Sequence, residues 1–168
     1  MAFSVDQFRG MVQDLARGNL FRTQISMPVG SNPLIDVLVQ TTSFPGRTVN
    51  VVDVPFQGQQ NKFAGNVSWE DWSVTFRMDD PYLVYNNFIL WQEMIRNSST
   101  NVAALPSLYK RDQTLFHIGT DTIDKGTLVI YGAWPTSVGA VSFDTTQTGD
   151  VQTFDVTFAI DGAVYIPV

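Results

Sequence analysis

A chain of 168 residues, 44% apolar, 12% aromatic and only 15% charged, is long enough to bury one hydrophobic core and too apolar to stay unfolded. Zero cysteines exclude disulfides, thiol nucleophiles and Cys-ligated metals, and a single histidine, His117, argues against a His-based triad or metal cluster. The net charge of −6 is lopsided, because after Arg111 the only base is Lys125 against Asp112, Asp121, Asp124, Asp144, Asp150, Asp155 and Asp161, and such a surface repels phosphate backbones.

Residues 4–17 read as an amphipathic helix with Val5, Phe8, Val12 and Leu15 on one face, a Ser4/Gln7 capping box and a stop at Gly18. That N-terminus lacks the basic segment and apolar block of a secretory signal, so synthesis in the cytosol is expected. No apolar run approaches the roughly 18 residues of a membrane-spanning helix. Leu20–Met27 alternates like a strand. Leu34–Thr42 and Thr48–Val54, rich in Val, Ile and Thr, read as two more strands around the turn pair Pro45-Gly46. Gln57–Asn66 (QGQQNKFAGN) reads as a long polar loop.

Val67–Met78 reads as one strand with Trp72, Val74, Phe76 and Met78 on one face and Ser73, Thr75 and Arg77 on the other. Asp79-Asp80-Pro81 then supplies a cap, with Asp80 in that role and Pro81 first in a helix over about 81–96 that carries Val84, Phe88, Trp91 and Ile95 on one side. Residues 97–114 read as loop, followed by a short strand at Leu115–Ile118. The last third is β: Thr127–Trp134, a turn at Pro135–Gly139, a short strand Ala140–Phe143 and a strand Val151–Asp161. In the last of these Phe154, Val156, Phe158 and Ile160 alternate with Thr153, Asp155, Thr157 and Ala159. With neither repeat nor linker, the expectation is one α+β, mainly β domain, an antiparallel β-sandwich or barrel-like fold with a flanking helix.

Signals for chemistry are weak. Glu70 and Asp71 are adjacent on a strand pattern and point to opposite faces, and the Asp79-Asp80 pair has a capping role, so neither makes an acid/base couple. Asp121 and Asp124 lack the ligand spacing of a calcium loop. His117, between apolar residues, reads as structural. Dinucleotide, phosphate-loop and nucleophile-elbow motifs are missing, the scattered bases are not interleaved with aromatics, and Trp69, Trp72, Trp91 and Trp134 read as core or subunit-interface residues. No catalytic, cofactor-binding or metal residue is assigned; a soluble enzyme using Glu70, Asp71 or Asp80 is a remote alternative.

The order Asn19-Leu20-Phe21, Phe44-Pro45-Gly46, Val54-Pro55-Phe56, Ala64-Gly65, WEDWSVTFRMDD (69–80), Phe88–Gln92, GAWPTSVG (132–139) and VQTFDVTFAID (151–161) resembles the tail tube proteins of contractile-tailed bacteriophages. The resemblance runs from about 19 to 161. Residues 97–125 and 162–168 carry no signature of that family. It implies a non-enzymatic virion protein without cofactor, a single domain over 1–168 with an N-terminal helix and arm at 1–18. Hexameric rings joined into a continuous inner β-barrel would stack into the tube inside the sheath, through which DNA is ejected. The implied partners are further copies of the chain, the sheath, the tape-measure protein, and baseplate and terminator proteins; DNA passes without specific binding and no membrane is involved. The protein would be found in the virion and, during assembly, in the host cytoplasm. The same fold serves tube initiators of baseplates and phage-like injection systems, which stand as alternatives. Two sets of site residues follow: an inter-ring loop, Gln57, Gly58, Gln59, Gln60, Asn61, Lys62 and Phe63, and a lumen face, Thr153, Asp155 and Thr157.

Overall fold

The computed structural model describes residues 16–30, 33–144, 146 and 149–167. The helix expected over 4–17 lies outside the described residues except for Ala16 and Arg17, which are irregular. The elements are β1 (Phe21–Gln24), α1 (Ile35–Leu38), β2 (Val39–Thr42), β3 (Arg47–Phe56), β4 (Gln59–Trp69), β5 (Trp72–Arg77), α2 (Leu83–Ile95), α3 (Pro106–Tyr109), β6 (Arg111–Ile118), β7 (Asp124–Val138), β8 (Thr153–Ala159) and β9 (Gly162–Pro167). All pairings are antiparallel, in agreement with the expected mainly β fold. Seven strands form one sheet in the order β1-β6-β7-β8-β5-β2, with β9 added alongside β7, and β3 pairs only with β4.

β7 is the spine. Its first half pairs with β6 on one side and β9 on the other, and its second half pairs with β8. Trp134 opposite Ala159 and Tyr131 opposite Gly162 keep one register, so β8 and β9 follow each other along the same side of β7. At the junction of the two runs β7 carries Gly132, whose φ is +62 and whose missing Cβ would collide with the Asp161 carboxylate. A side chain there would be strained by the backbone and blocked by its neighbour.

The core follows from alternation. Trp72, Val74 and Phe76 of β5 and Phe154, Val156 and Phe158 of β8 share one sheet face, and Val84, Phe88 and Trp91 of α2, three and four residues apart, lie over it. Phe88 packs against Phe76 at 5.1 Å and against Phe158 at 6.0 Å between ring centroids. Burying each of these large side chains contributes roughly 1.5–3 kcal/mol. On β6, buried Gln113 works as a strand mimic: its Oε1 accepts from Ser26 N at 2.7 Å and its Nε2 donates to Ser26 O at 2.9 Å. The chain is thereby held to β6 beyond the end of β1.

Several boundaries differ from the sequence expectation. α2 begins at Leu83, not 81, because Tyr82 has φ +55 and the cap is Asp79: its carboxylate accepts from Leu83 N at 3.0 Å and Val84 N at 3.2 Å. Asp80 and Pro81 sit in the preceding turn. The expected strand 67–78 is broken at Glu70-Asp71, where Glu70 N donates to Gly46 O. Leu34–Leu38 is a helical turn and not strand, so the edge strand is confined to β2. Residues 97–114 include α3 and the first half of β6. β7 runs through Pro135 to Val138 without the expected turn, since beyond Ala133 it has left β6 and the missing N–H of proline is tolerated on an open edge. Residues 140–143 form no strand, and the unforeseen β9 completes the sheet.

Candidate assembly surfaces

Three features of this fold are left exposed or unpaired within one chain. The first is the arm formed by β3 and β4. The polar loop expected over 57–66 is a correction: only Gln57 and Gly58 turn, with φ +50 and +82, while Gln59, Gln60, Asn61, Lys62 and Phe63 belong to β4. Turn residues with two positive φ values match the twist of a two-residue hairpin loop. The residues 59–66 are polar on average because a hairpin flanked by water has little to bury in its own chain.

Cross-strand register sorts the arm into two faces. Val52 opposite Phe63, Val54 opposite Asn61 and Phe56 opposite Gln59 share one; Val51 opposite Ala64, Asp53 opposite Lys62 and Pro55 opposite Gln60 share the other. The first face is an apolar stripe with Val52 50%, Phe56 64% and Phe63 58% exposed. Nearer the body the register shifts between Val49 and Val51, opposite Gly65, where a Cβ would lie 2.9 Å from Asn50 O. Ten residues of β3 at about 3.3 Å each give an arm roughly 30 Å long. A two-stranded hairpin is marginal in water by itself, and an exposed apolar stripe on one marks a contact surface.

The second feature is the outer face of the sheet. The residues proposed for a lumen, Thr153, Asp155 and Thr157, lie opposite the buried Phe154, Val156 and Phe158. Neighbouring strands extend them into rows: Thr41, Thr75 and Asp155; Ser73, Thr157 and Ser137; Arg77 and Thr153. Thr75 Oγ1 donates to Asp155 Oδ1 at 2.6 Å. The surface is thus made of short hydroxyl side chains with one base and one acid, and has neither the aromatic platforms nor the clustered cations that grip nucleic acid.

The third is a pair of open edges. β2 pairs with β5 on one side only, and Trp134–Val138 of β7 pairs with β8 on one side only among the described strands. Unpaired edges of a sheet offer rows of N–H and C=O groups to another chain.

Residues weighed for catalysis are not assembled into a site. Glu70 and Asp71 lie on the link between arm and sheet, and Asp79 is occupied as a cap. Among the described residues no group of three His, Cys, Asp or Glu is placed to hold a metal, and no helix is long and apolar enough to cross a membrane. His117 Nε2 is enclosed without a hydrogen-bond partner among the described residues. Burial raises the Asp36 carboxyl above its ordinary value even though it accepts from Ile25 N, and the Lys125 ammonium holds that of Asp121 below it. Both are explained by fold contacts.

Comparison with known proteins identifies the family and the fold. Residues 16–162 match the phage tail tube protein family. The tail tube protein gp19 of Enterobacteria phage T4 is 30% identical over 151 residues, covering 88% of this chain and 90% of its own. A chain in the tube-terminating cap of the anti-feeding prophage has the same fold, with TM-score 0.70 at 16% identity over 94% of each chain. So does one in the sheath–tube complex of an extracellular contractile injection system in its extended state, with TM-score 0.63 at 19% identity over 99% of this chain and 100% of that one.

Proposed function

The chain belongs to the phage tail tube protein family, and from that premise we propose that its copies close into a hexameric ring through the two open edges, β2 of one copy adding to Trp134–Val138 of the next. Its role is structural. One observation carries the ring reading: the sheet β7-β8-β5-β2 is sealed on one face by α2, wetted by small hydroxyls on the other, and open at both ends. A head-to-tail contact that closes by rotation abolishes such edges and turns the hydroxyl face toward a water-filled channel.

Stacked rings then use the arm, whose apolar stripe at Val52, Phe56 and Phe63 is buried against an adjacent copy. The tip and β4 residues Gln57 to Phe63 reach the next ring. Thr153, Asp155 and Thr157 line the channel, whose short hydroxyls with one acid and one base per copy offer no cluster of cations, so DNA slides past a surface that releases few counterions. Sheath, baseplate and terminator proteins are the partners at the outer wall and ends of this tube, and the tape-measure protein occupies the channel before DNA. The tube functions in the virion after assembly in the host cytoplasm. Negative-stain microscopy of the purified protein at rising concentration, with its mass in solution, tests the ring. Hollow rods of uniform width are expected; single rings that never stack would point to a tube initiator, and compact monomers or dimers at every concentration would sink the ring reading.

A further inference from the structure

At the corner where β6 begins and the edge of β7 becomes open lies a groove of about 370 Å³ whose walls include Ile95 of α2, Ala103, Ala104, Tyr109, Trp134 and Pro135. Two cations stand at this corner without a carboxylate partner among the described residues: Arg96, on the groove wall, donates to Asn101 Oδ1, and Arg111 donates to the carbonyls of Ser107 and Lys110. At the opposite edge of the same sheet, β2 ends at Thr42 and the chain continues through Ser43-Phe44-Pro45-Gly46 into the arm. Thr42 Oγ1 accepts from Trp72 Nε1 at 2.9 Å and so lies on the side that α2 covers, and Phe44, two residues on, falls on the same side by alternation. The Phe44 ring leans on Tyr165 at 6.1 Å between centroids and is left 53% exposed. Beside it the Glu70 carboxylate lies against Gly46, and Glu70 and Asp71 are both exposed without an ion pair among the described residues.

We propose that Phe44 of one copy seats in the groove of the next, an aromatic plug at the end of the strand addition that closes the ring. This rests on the ring reading above and adds its side-chain anchor. Strand direction selects the residue. β7, β8, β5 and β2 alternate in direction, so β2 added beside Trp134–Val138 of the next copy runs antiparallel to it, with Val39 toward Val138 and Thr42 toward Trp134. The chain leaving Thr42 then reaches the corner where β6, paired from Arg111 with Ala133, takes over the edge, and Phe44 arrives on the side that the groove shares with α2. Charge selects a second copy as the occupant: Glu70 and Asp71 approach Arg96 and Arg111, so acids and bases without ion pairs in one chain find them between copies, which fixes register. Aliphatic and aromatic walls continuous with the strand edge give the contact an apolar core inside a charged rim.

The absence of cysteine makes a direct test possible. Phe44→Cys is combined in turn with Ala103→Cys, Ala104→Cys and Thr136→Cys, and assembled protein is oxidised and run without reductant. Val37→Cys, at an exposed position before the other end of β2, is combined with the same three as the control for strand direction. Within one chain the two edges are about three strand spacings, roughly 14 Å, apart, beyond the about 7 Å reach of a disulfide, so any bond joins two copies. A ladder at multiples of the chain mass is expected for at least one Phe44 pair and for no Val37 pair. In the cysteine-free chain, Phe44→Asp is expected to raise the concentration for half-maximal assembly by about tenfold with the urea midpoint of the subunit unchanged, whereas Phe44→Leu, which keeps an apolar side chain, assembles nearly as the native chain does. Rings visible by microscopy with no ladder from any Phe44 pair, a ladder from the Val37 pairs instead, or undiminished assembly of Phe44→Asp would overturn the anchor and leave the ring standing. Failure of the unaltered chain to form rings overturns the ring reading itself.

Discussion

Phe63→Asp is expected to abolish tubes while leaving the subunit folded, with unfolding free energy within about 0.5 kcal/mol of the native chain. Phe63 is 58% exposed and sits on the arm, where its cross-strand partner is Val52 and neither touches the core. In the free subunit a carboxylate at that position stays in water and costs little. In the assembled tube it would be buried against another chain, and burying an unpaired carboxylate costs several kcal/mol at each repeat of the contact. Because every ring repeats the contact, the penalty grows with tube length. Sedimentation after assembly and urea unfolding of the same preparation separate the two effects. Normal tubes from the variant would show that the apolar stripe is not an assembly surface.

The opposite behaviour is expected of Trp91→Ala. Trp91 is fully buried, packs against Phe88 and Phe158, and donates its indole N–H to Tyr109 O at 2.9 Å. Truncation leaves a cavity beneath α2 and an unpaired carbonyl at the end of α3, for a loss of about 3–5 kcal/mol. Against a total of about 5–15 kcal/mol for a domain, that brings the subunit close to unfolding. Ile95→Ala, at a partly buried position on the same helix, is expected to cost clearly less. Urea denaturation of both variants decides the matter; a loss below about 1 kcal/mol for Trp91→Ala would mean that α2 is not the lid of this core.

The contrast between these residues explains what the sequence made legible. Trp72, Val74 and Phe76 alternate with polar residues because one face of β5 is sealed inside the chain, and Phe154, Val156 and Phe158 do the same on β8, so the central sheet and the helix over it could be read directly. The wet face at Thr153, Asp155 and Thr157 was readable for the same reason. The arm was legible only in its first strand: the Val and Thr content of Thr48–Val54 marks β3, but β4 has no burial pattern within the subunit, and the polar run QGQQNKFAGN looks like a loop when it has no core of its own chain to face. β9 was missed since Gly162–Pro167 is short and ends in proline, and its place is decided by the register inherited from β8. The cap moved from Asp80 to Asp79 because Tyr82 adopts a left-handed conformation, with its hydroxyl donating to Gln152 at 2.9 Å, and local propensity gives no warning of such a tertiary contact. Residues packed inside the chain itself leave a periodic trace; strands exposed along their whole length do not.

The most direct test of the whole account is a side-chain-resolution image reconstruction of assembled tubes. The expected map has β2 of each copy beside Trp134–Val138 of the next, Thr153, Asp155 and Thr157 on the channel wall, and α2 on the outside of the barrel wall. A tube in which α2 faces the channel, or in which β2 remains unpaired between copies, would contradict it.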